Sequence, residues 1–371
     1  MTAATPVLFV DHDGTLVEEP PDEQVDAVDK VRFMPGVFAA LAELKRAGFR
    51  LVIVTNQDGL GTPSHPAEAF EKAHRFILDA FGSQGVGFEA VLICPHFAGD
   101  GCDCRKPLPG LVRRFLDHGH VDLSRSAVIG DRDTDLELAR NLGIRGLRVR
   151  RDGTPEETWP AVAREILARR ARVERATKET RITVSVDLDA GLAVDGVTAG
   201  GPDSRDRVRA RTGIGFFDHM LEQLAKHGGF ALDLACEGDL NVDEHHTVED
   251  CALAIGEALR RALGGKAGIA RYGFLLPMDE SRAQVAIDLS GRAYSVFEGK
   301  FGRERIGGLP TELVPHFFRS LAESLGAAIH VTVAGENSHH MVEACFKAVG
   351  RTLRQAFRRE GYELPSTKGV L

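Results

Sequence analysis

The chain has 371 residues, which is enough for two domains, and its hydrophobic content of 43% and charged content of 27% are those of an ordinary globular protein. A formal net charge of -8 at pH 7 argues against nucleic-acid binding, and apolar runs such as 51–54 are too short to span a bilayer. The first residues lack the basic and apolar regions of a secretion signal, and six cysteines in a chain of this length indicate a reducing compartment. We therefore expect a cytoplasmic protein without membrane or nucleic-acid partners.

The first part of the chain alternates short apolar runs with amphipathic stretches. Four apolar runs predict buried strands, at 7–10, 51–54, 90–93 and 126–130. Between the first two, residues 37–48 repeat apolar positions at helical spacing and predict a helix. This alternation predicts an α/β fold with a doubly wound parallel sheet, which we assign to a domain over residues 1–166.

The first predicted strand runs directly into the motif Asp-His-Asp-Gly-Thr, which begins at Asp11. Ligands of open α/β folds bind at the carboxyl ends of the strands, so both aspartates are predicted to face a binding site. Asp11 is placed to attack phosphorus and form an aspartyl-phosphate, and Asp13 is placed to protonate the departing alkoxide. An Asp-x-Asp pair by itself is weak evidence, so the prediction depends on matching residues later in the chain.

Later segments supply the other parts of such a site. The candidates for phosphate binding are Thr55 and Asn56, after the second strand, and Lys106 in a later loop. Asp131 follows the last predicted strand and is a candidate magnesium ligand, together with the two aspartates of the motif. In this order the pieces resemble the haloacid-dehalogenase-like phosphatases, and the resemblance implies a magnesium-dependent phosphatase.

Four candidate metal ligands crowd into the short stretch before Lys106: Cys94, His96, Cys102 and Cys104. Soft ligands at this spacing are typical of a closed tetrahedral zinc site that stabilises structure rather than performing chemistry. Three buried thiols beside a surface histidine are the plainer alternative.

The first domain resembles, more narrowly, the histidinol-phosphatase family. The resemblance is carried by DHDGTLVEEPP (11–21), TNQDGLGT (55–62) and the cysteine-rich stretch. The chain departs from that family at His12, where arginine is usual, and the contacts of His12 stay open. The other histidines of this half are expected at the surface: His65, His74, His118 and His120.

The composition changes after residue 154. Residues 163–179 form a basic run that predicts a helix or a linker, and the alternating stretch 181–189 predicts a strand of a second domain, assigned to residues 167–371. Within this domain the apolar stripe that begins at Val248 recurs from Val342, 94 residues later. The recurrence predicts an α+β domain built from two duplicated strand–helix–strand–helix halves.

The duplication includes the motif His-His-x-x-Glu, at 245–249 and again at 339–343. On a helix, His245 and Glu249 share one face while His246 points about 100° away, so one helix offers ligands to two different metal ions. His219 and His316 lie on the preceding predicted helices. A single copy is also explained as a solvated helix start, but two copies in the same register favour two divalent ions such as manganese.

Residues 175–371 resemble imidazoleglycerol-phosphate dehydratase through HHTVED (245–250), SHHMVEACFKA (338–348) and STKGVL (366–371). The resemblance implies two manganese ions bound by His219, His245, His246, Glu249, His316, His339, His340 and Glu343. It implies a catalytic base at Glu179 and substrate contacts at Gln223, His227, Arg271, Arg292, Lys347 and Lys368. It also implies large symmetric homo-oligomers in which neighbouring subunits complete each site. The stretch 195–211 is longer and more polar than is usual in the family.

Both halves together resemble the bifunctional enzymes of histidine biosynthesis. The resemblance implies dehydration of imidazole glycerol phosphate to imidazole acetol phosphate, and hydrolysis of L-histidinol phosphate to L-histidinol and phosphate. Two other classes stay open. In the first, both domains hydrolyse phosphate esters, and release of phosphate by the second domain would reveal this. In the second, the chain is a non-enzymatic, zinc-scaffolded binding module with a decayed catalytic half. The acidic net charge disfavours this second class, as do the intact residues Asp11, Asp13, Lys106 and Asp131.

Overall fold

The computed structural model describes residues 4–117, 120–190, 207–368 and 371. His118 and most of the unusual stretch 195–211, up to residue 206, lie outside the described residues. The chain divides into two compact units, Met1–Leu167 and Ala168–Leu371. Among the described residues, no helix is both long and apolar enough to cross a membrane.

The N-terminal unit is built on a five-stranded sheet in which every neighbouring pair is parallel. Its strands are β1 (Val7–Val10), β2 (Arg50–Asn56), β3 (Ala90–Cys94), β4 (Ala127–Gly130) and β5 (Arg145–Arg148). They lie in the order β3-β2-β1-β4-β5, so the connections run outward from β1 in both directions. The carboxyl ends of β1 and β4 therefore form the switch point at which open α/β sheets bind ligands.

Helices cover both faces of this sheet: α1 (Val37–Arg46), α2 (Ala67–Ser83), α3 (Gly110–Leu116), α4 (Asp133–Leu142) and α5 (Trp159–Leu167). Alternate strand residues point to opposite faces, and both sets are buried. Leu8 and Val10 belong to one hydrophobic core, whereas Val7 and Phe9 belong to the core on the other face. The predicted doubly wound α/β fold is confirmed.

The C-terminal unit contains two four-stranded sheets of identical topology. The first orders β6 (Arg170–Ala176), β7 (Thr180–Asp187), β9 (Ala231–Gly238) and β8 (Val208–Arg211), and the second orders β10 (Tyr272–Met278), β11 (Ser281–Asp288), β15 (Ala328–Ala334) and β12 (Tyr294–Glu298). In each sheet the first three strands pair antiparallel and the last pair is parallel. A small hairpin of β13 (Arg305–Ile306) and β14 (Leu309–Pro310) interrupts the second half. The predicted duplication is confirmed, and each four-stranded sheet has two more strands than the strand–helix–strand–helix pattern predicts.

Four helices pack between the halves: α6 (Gly215–Gly228), α7 (His245–Leu263), α8 (Leu313–Leu325) and α9 (Ser338–Ala356). The contacts cross from one half to the other, because α6 packs on α9 and α7 packs on α8. Glycines at equivalent positions allow this approach. A Cβ atom at Gly256 would lie 2.9 Å from the carbonyl oxygen of Leu321, and one at Gly350 would collide with the carbonyl oxygen of Leu224.

The basic run 163–179 is neither a continuous helix nor a linker, so this prediction was wrong. Helix α5 ends at Leu167, and strand β6 begins shortly afterwards at Arg170 and pairs along its length with β7. The charged side chains of β6 alternate with residues such as Val173, which is buried. A strand with one solvated face thus accounts for the basic composition.

Candidate active sites

The first candidate site lies at the carboxyl ends of β1, β2 and β4. Asp11 follows β1 directly and Asp131 follows β4 directly, so the sheet order brings them together at its switch point. The backbone between them is close, since a Cβ atom at Gly14 would lie 2.5 Å from Cγ of Asp131, and Gly14 has a φ of +73°. Glycine is therefore required at this position of the motif.

Lys106 is buried at the centre of this site. Its Nζ lies 2.5 Å from Oδ1 of Asp11 and 2.7 Å from Oδ1 of Asp135, and its side chain is 4% exposed. Burial alone would lower the pKa of Lys106, but the two carboxylates outweigh it and raise that pKa. The ammonium group thus stays charged where phosphoryl oxygens would be bound.

Asp135 belongs to this site although it was not among the predicted site residues. It is fully buried, and its carboxylate lies with those of Asp11 and Asp131 in a group of possible metal ligands within 4.8 Å of one another. Burial, followed by the charge of Asp135, raises the pKa of Asp131 to about 6. The signal was present in the sequence, because Asp135 closes the same GDRDTD motif that contains Asp131.

The carboxylate group fits a divalent cation. Oδ1 of Asp131 is buried and has no hydrogen-bond partner among the described residues. Burial raises the pKa of Asp11 well above its ordinary value, and the neighbouring aspartates oppose its ionisation further. A hard cation prefers oxygen ligands and would relieve this repulsion.

Asp13 lies apart from that group and is held from two sides. His12 Nδ1 lies 2.8 Å from Oδ1 of Asp13, and Gln57 Nε2 donates to Oδ2 at 2.7 Å. Burial raises the pKa of Asp13, but these two hydrogen-bond partners outweigh it and leave that pKa below its ordinary value. Gln57 Nε2 also donates to Oγ1 of Thr55 at 2.9 Å.

Asn56 orients the loop that carries Lys106. Its amide group donates to the carbonyl oxygen of Lys106 at 3.2 Å and accepts from the Lys106 backbone N–H at 2.9 Å. A cavity of about 560 Å³ opens beside these residues and is also lined by His65, Arg105 and Arg132. The site is therefore large enough for a small phosphate ester.

The expectation that His65 and His74 lie at the surface was wrong. His65 is 1% exposed and His74 is 9% exposed. The ring of His74 stacks on that of Phe70, and its Nδ1 lies 3.2 Å from Nε2 of His12. The helical spacing of Phe70, His74 and Ile77 places them on the one buried face of α2, and this spacing is the signal in the sequence that predicts burial of His74.

The four predicted zinc ligands of the stretch 94–104 lie together in one cluster. Sγ of Cys104 lies 3.2 Å from both Nδ1 of His96 and Sγ of Cys94, and Cys94 and Cys102 are 3.7 Å apart. Tetrahedral zinc with bonds of about 2.0–2.3 Å needs ligand separations of roughly 3.3–3.8 Å. All the cysteines are free thiols, so the cluster fits a zinc ion. Arg105 ties it to the pocket by donating to the His96 carbonyl oxygen at 3.0 Å and pairing with Asp58.

The second candidate site lies on the four helices of the C-terminal unit. Nε2 of His245 and Nε2 of His316 each lie 3.5 Å from Oε2 of Glu249, and the two rings have centroids 4.8 Å apart. His245 and Glu249 come from α7, whereas His316 comes from α8 in the other half. Nε2 of His316 is buried without a hydrogen-bond partner among the described residues, as suits a metal ligand.

The other helix pair repeats this arrangement. Nε2 of His339 lies 3.6 Å from Oε2 of Glu343 on α9, and Nε2 of His219 on α6 lies 3.9 Å from Oε1 of the same carboxylate. Lys347 Nζ lies 2.7 Å from Glu343 Oε1, and Gln223 Nε2 lies 3.5 Å from His219 Nε2. Each histidine-carboxylate-histidine triad thus draws one histidine from the opposite half.

His246 and His340 face away from the triads, as the helical spacing predicts. Nδ1 of His246 lies 3.0 Å from Oδ2 of Asp239, and Nδ1 of His340 lies 2.8 Å from Oε2 of Glu280. These hydrogen bonds raise the pKa of both histidines. In both histidines the carboxylate contacts Nδ1 and not Nε2. Metal-ligating histidines usually have this arrangement, in which one ring nitrogen contacts a carboxylate and the other faces the metal.

The remaining predicted site residues are only partly brought together. Glu179 is exposed in the turn between β6 and β7, and its charge contributes to the raised pKa of His246. His227 has a lowered pKa because of burial and the nearby charge of Lys347.

The four predicted phosphate ligands have different surroundings. Arg271 pairs with Asp288 at 2.6 Å and donates to the carbonyl oxygen of Pro365 at 2.9 Å. Arg292 and Lys368 are exposed, and their backbone N–H groups donate to Oγ of Ser290 and Oγ of Ser366.

Comparison with known proteins matches both units. A family model for imidazoleglycerol-phosphate dehydratase covers residues 212–353, and a model for HAD-hydrolase-like proteins covers residues 103–167. The histidine biosynthesis bifunctional protein HisB of Stenotrophomonas maltophilia (strain R551-3) is 53% identical over 371 residues, which cover 99% of this chain and 100% of the relative. HisB of Legionella pneumophila (strain Lens) is 53% identical over 367 residues, which cover 98% and 99%.

The chain belongs to the HisB family.

Solved structures resemble one part of this HisB-family chain each. Imidazoleglycerol-phosphate dehydratase from Staphylococcus aureus subsp. aureus N315 is 31% identical, covers 51% of this chain and 99% of its own, and gives a TM-score of 0.43. D,D-heptose 1,7-bisphosphate phosphatase from B. bronchiseptica is 30% identical, covers 44% and 98%, and gives a TM-score of 0.39. Domains of the two matched families generally use metal ions, and both candidate sites contain clustered ligands.

Proposed function

We propose that this HisB-family chain is a bifunctional enzyme of histidine biosynthesis. Its C-terminal unit is a hydro-lyase that converts imidazole glycerol phosphate to imidazole acetol phosphate, and its N-terminal unit hydrolyses L-histidinol phosphate. One observation carries the proposal. A single chain with full-length HisB relatives contains two separate clusters of candidate catalytic and metal-binding side chains. One joins Lys106 to buried carboxylates, and the other consists of two histidine-carboxylate triads.

In the phosphatase reaction, a carboxylate oxygen of Asp11 attacks phosphorus while the alkoxide leaves. Asp13, whose lowered pKa keeps it ionised in the free site, has to be protonated before the alkoxide leaves. It then gives that proton to the leaving oxygen and takes one from the water that hydrolyses the aspartyl-phosphate. Lys106 stabilises the phosphoryl oxygens, and Asn56 holds the Lys106 backbone in place. Thr55 is within hydrogen-bond reach of Gln57 at the same edge and completes the phosphate site. Magnesium would neutralise the charge that develops on the phosphoryl group.

We assign this magnesium ion to the clustered carboxylates of Asp11, Asp131 and Asp135. Asp13, which the sequence also predicted as a ligand, lies apart from this cluster, with His12 and Gln57 on its two carboxylate oxygens. The structural zinc ion is assigned to Cys94, His96, Cys102 and Cys104. The support for magnesium is the unpartnered buried oxygen of Asp131 and the clustered carboxylates, and the support for zinc is the spacing of the four soft ligands.

In the dehydratase reaction, Glu179 removes the proton from the carbon next to the one that loses hydroxide. Gln223 and His227 contact the hydroxyl groups, and Arg271, Arg292, Lys347 and Lys368 bind the phosphate. Two manganese ions would polarise the imidazole ring of the substrate. They are assigned to the eight ligands His219, His245, His246, Glu249, His316, His339, His340 and Glu343.

We propose that the C-terminal unit assembles into a large symmetric homo-oligomer. His246 and His340 point away from the triads of their own chain, so their metal-binding nitrogens would meet triads of neighbouring copies.

The proposal is tested with the full-length chain, supplied with magnesium and manganese and assayed with each substrate. Asp11→Asn should abolish phosphate release from histidinol phosphate and leave ketone formation unchanged. The double variant His246→Ala with His340→Ala should abolish ketone formation from imidazole glycerol phosphate and leave phosphate release from histidinol phosphate unchanged. If the Asp11→Asn variant released phosphate instead of forming ketone from imidazole glycerol phosphate, the C-terminal unit would be a second phosphoesterase and the proposal would be wrong.

A further inference from the structure

Two buried histidines lie behind Asp13, and the proposed phosphatase mechanism gives them no role. His12 is fully buried and its two ring nitrogens face two partners, Asp13 at 2.8 Å through Nδ1 and His74 at 3.2 Å through Nε2. His74 is fixed in turn by Phe70, on which its ring stacks with planes 9° apart and centroids 5.3 Å apart. The three polar side chains form one continuous chain from α2 to the carboxylate.

When both imidazole rings are neutral, the N–H hydrogens of these three hydrogen-bonded side chains have only one arrangement. An ionised carboxylate only accepts hydrogen bonds, so the N–H of His12 must be on Nδ1 and point at Asp13. Nε2 of His12 then carries a lone pair, which accepts the N–H on Nδ1 of His74. Burial lowers the pKa of His74 to about 4, so its ring is neutral at neutral pH.

The far side of Asp13 is also fixed. Gln57 Nε2 donates to Oδ2 at 2.7 Å and is itself anchored on Thr55 Oγ1. The carboxylate plane of Asp13 is therefore set by one donor on each oxygen. A proton donor must lie within about 2.6–3.2 Å of the oxygen that it protonates, so this orientation matters for proton transfer.

We propose that His74 is a positioning residue for the phosphatase reaction, which acts by holding the imidazole ring of His12 and thereby the orientation of Asp13; this rests on the proposed phosphatase function. Without the His74 N–H, the lone pair on Nε2 of His12 is buried without a donor, and the ring of His12 is held only through Asp13. The ring can then turn away from the carboxylate, and Asp13 loses its fixed orientation. At His12 the chain departs from the histidinol-phosphatase pattern, and the proposal gives this residue the role of orienting Asp13.

The test is steady-state hydrolysis of histidinol phosphate by the full-length chain. His74→Phe keeps a ring stacked on Phe70 and removes the N–H, and we expect kcat to fall about 10-fold or more with little change in KM. His74→Asn places an amide N–H near the lost one and should recover much of the rate. Arg75→Ala is the matched control, because Arg75 follows His74 on α2 and forms an exposed ion pair with Glu71. Its kcat and KM should equal those of the wild type.

A double-substitution cycle separates positioning from a general structural role. His12→Asn keeps an N–H donor for Asp13 but lacks the ring that His74 holds, so adding His74→Phe to this variant should lower kcat little further. The inference would be overturned if His74→Phe lowered kcat by the same factor in the wild type and in His12→Asn. Equal kcat values for His74→Phe and His74→Asn would overturn it as well. If His74→Phe lowers the unfolding midpoint, His74→Leu replaces it in the same comparison with His74→Asn.

Two internal readouts keep the outcomes distinct. Dehydratase turnover of the same preparations should be unchanged, because the substitutions lie in the N-terminal unit. A wild-type chain that releases no phosphate from histidinol phosphate would refute the proposed function itself. An active wild-type chain with unchanged kcat in His74→Phe would refute only the role of His74.

Discussion

Replacing Lys106 with methionine should destabilise the N-terminal unit strongly, because it leaves two buried carboxylates without their cation. The ammonium group contacts Asp11 at 2.5 Å and Asp135 at 2.7 Å, and the side chains of the three residues are 4%, 8% and 1% exposed. Removing one partner of a buried ion pair typically costs about 3–5 kcal/mol, since the remaining charge stays in a poorly polarisable environment. We expect a loss of that size in the free energy of unfolding, measured without divalent cations.

Fluorescence isolates this effect in the full-length chain. Trp159 is the single tryptophan of the sequence, is 1% exposed, and donates through Nε1 to the carbonyl oxygen of Thr15 at 2.8 Å. Its emission therefore reports denaturant unfolding of the N-terminal unit. Lys72→Met, at an exposed pair with Glu68, is the control and should shift stability by less than about 1 kcal/mol.

Magnesium provides a second arm of the same experiment. A cation bound by the carboxylates replaces part of the lost charge, so it should restore more stability to Lys106→Met than to the wild type. If Lys106→Met unfolded at the wild-type midpoint in the absence of divalent cations, the assignment of Lys106 as counter-charge for the buried carboxylates would be refuted.

The same sites lead to three further predictions. Burial raises the pKa of Asp131 to about 6, so between pH 4 and pH 6 the folded state holds a proton that the unfolded state has released. The stability of the metal-free N-terminal unit, measured as the fluorescence midpoint of unfolding, should therefore fall as the pH rises from 4 to 6. Asp131→Asn should make that fall smaller. Cys102→Ser should lose zinc by atomic absorption and lower phosphatase turnover with dehydratase turnover unchanged; retained zinc would contradict the ligand set. Glu179→Gln should lower dehydratase kcat by about 100-fold or more and leave manganese affinity unchanged in titration calorimetry, whereas an unchanged kcat would exclude it as the base.

The sequence predicted the elements that carry strong apolar patterns. Strands β1 and β2 are continuous apolar runs buried on both faces, and they were found at their predicted places. Strand β5 was missed because its sequence, RGLR, is short, polar and partly exposed. Strand β6 was missed for a related reason, since its exposed side chains are mostly charged and hide the alternation around Val173.

The pairing of the proposed metal ligands could not be predicted from their spacing. His219 and His316 precede the two His-His-x-x-Glu motifs at similar distances, so each could join the motif of its own half or that of the other half. The choice is made by tertiary packing, in which α6 lies against α9 and α7 lies against α8. Sequence spacing fixes which face of a helix a residue occupies but not which helix that face meets.

The most direct test of the central claim, that each metal site draws on both halves of the duplication, is the manganese stoichiometry of paired variants. In metal-free full-length protein, His245→Ala with His316→Ala removes two ligands from one triad, whereas His245→Ala with His219→Ala removes one ligand from each. Titration calorimetry with manganese should show that the first variant retains tight binding at one of the two proposed sites, while the second is weakened at both. The opposite pattern, with His245→Ala and His219→Ala sparing one site, would show that each half builds its own site and would contradict the account.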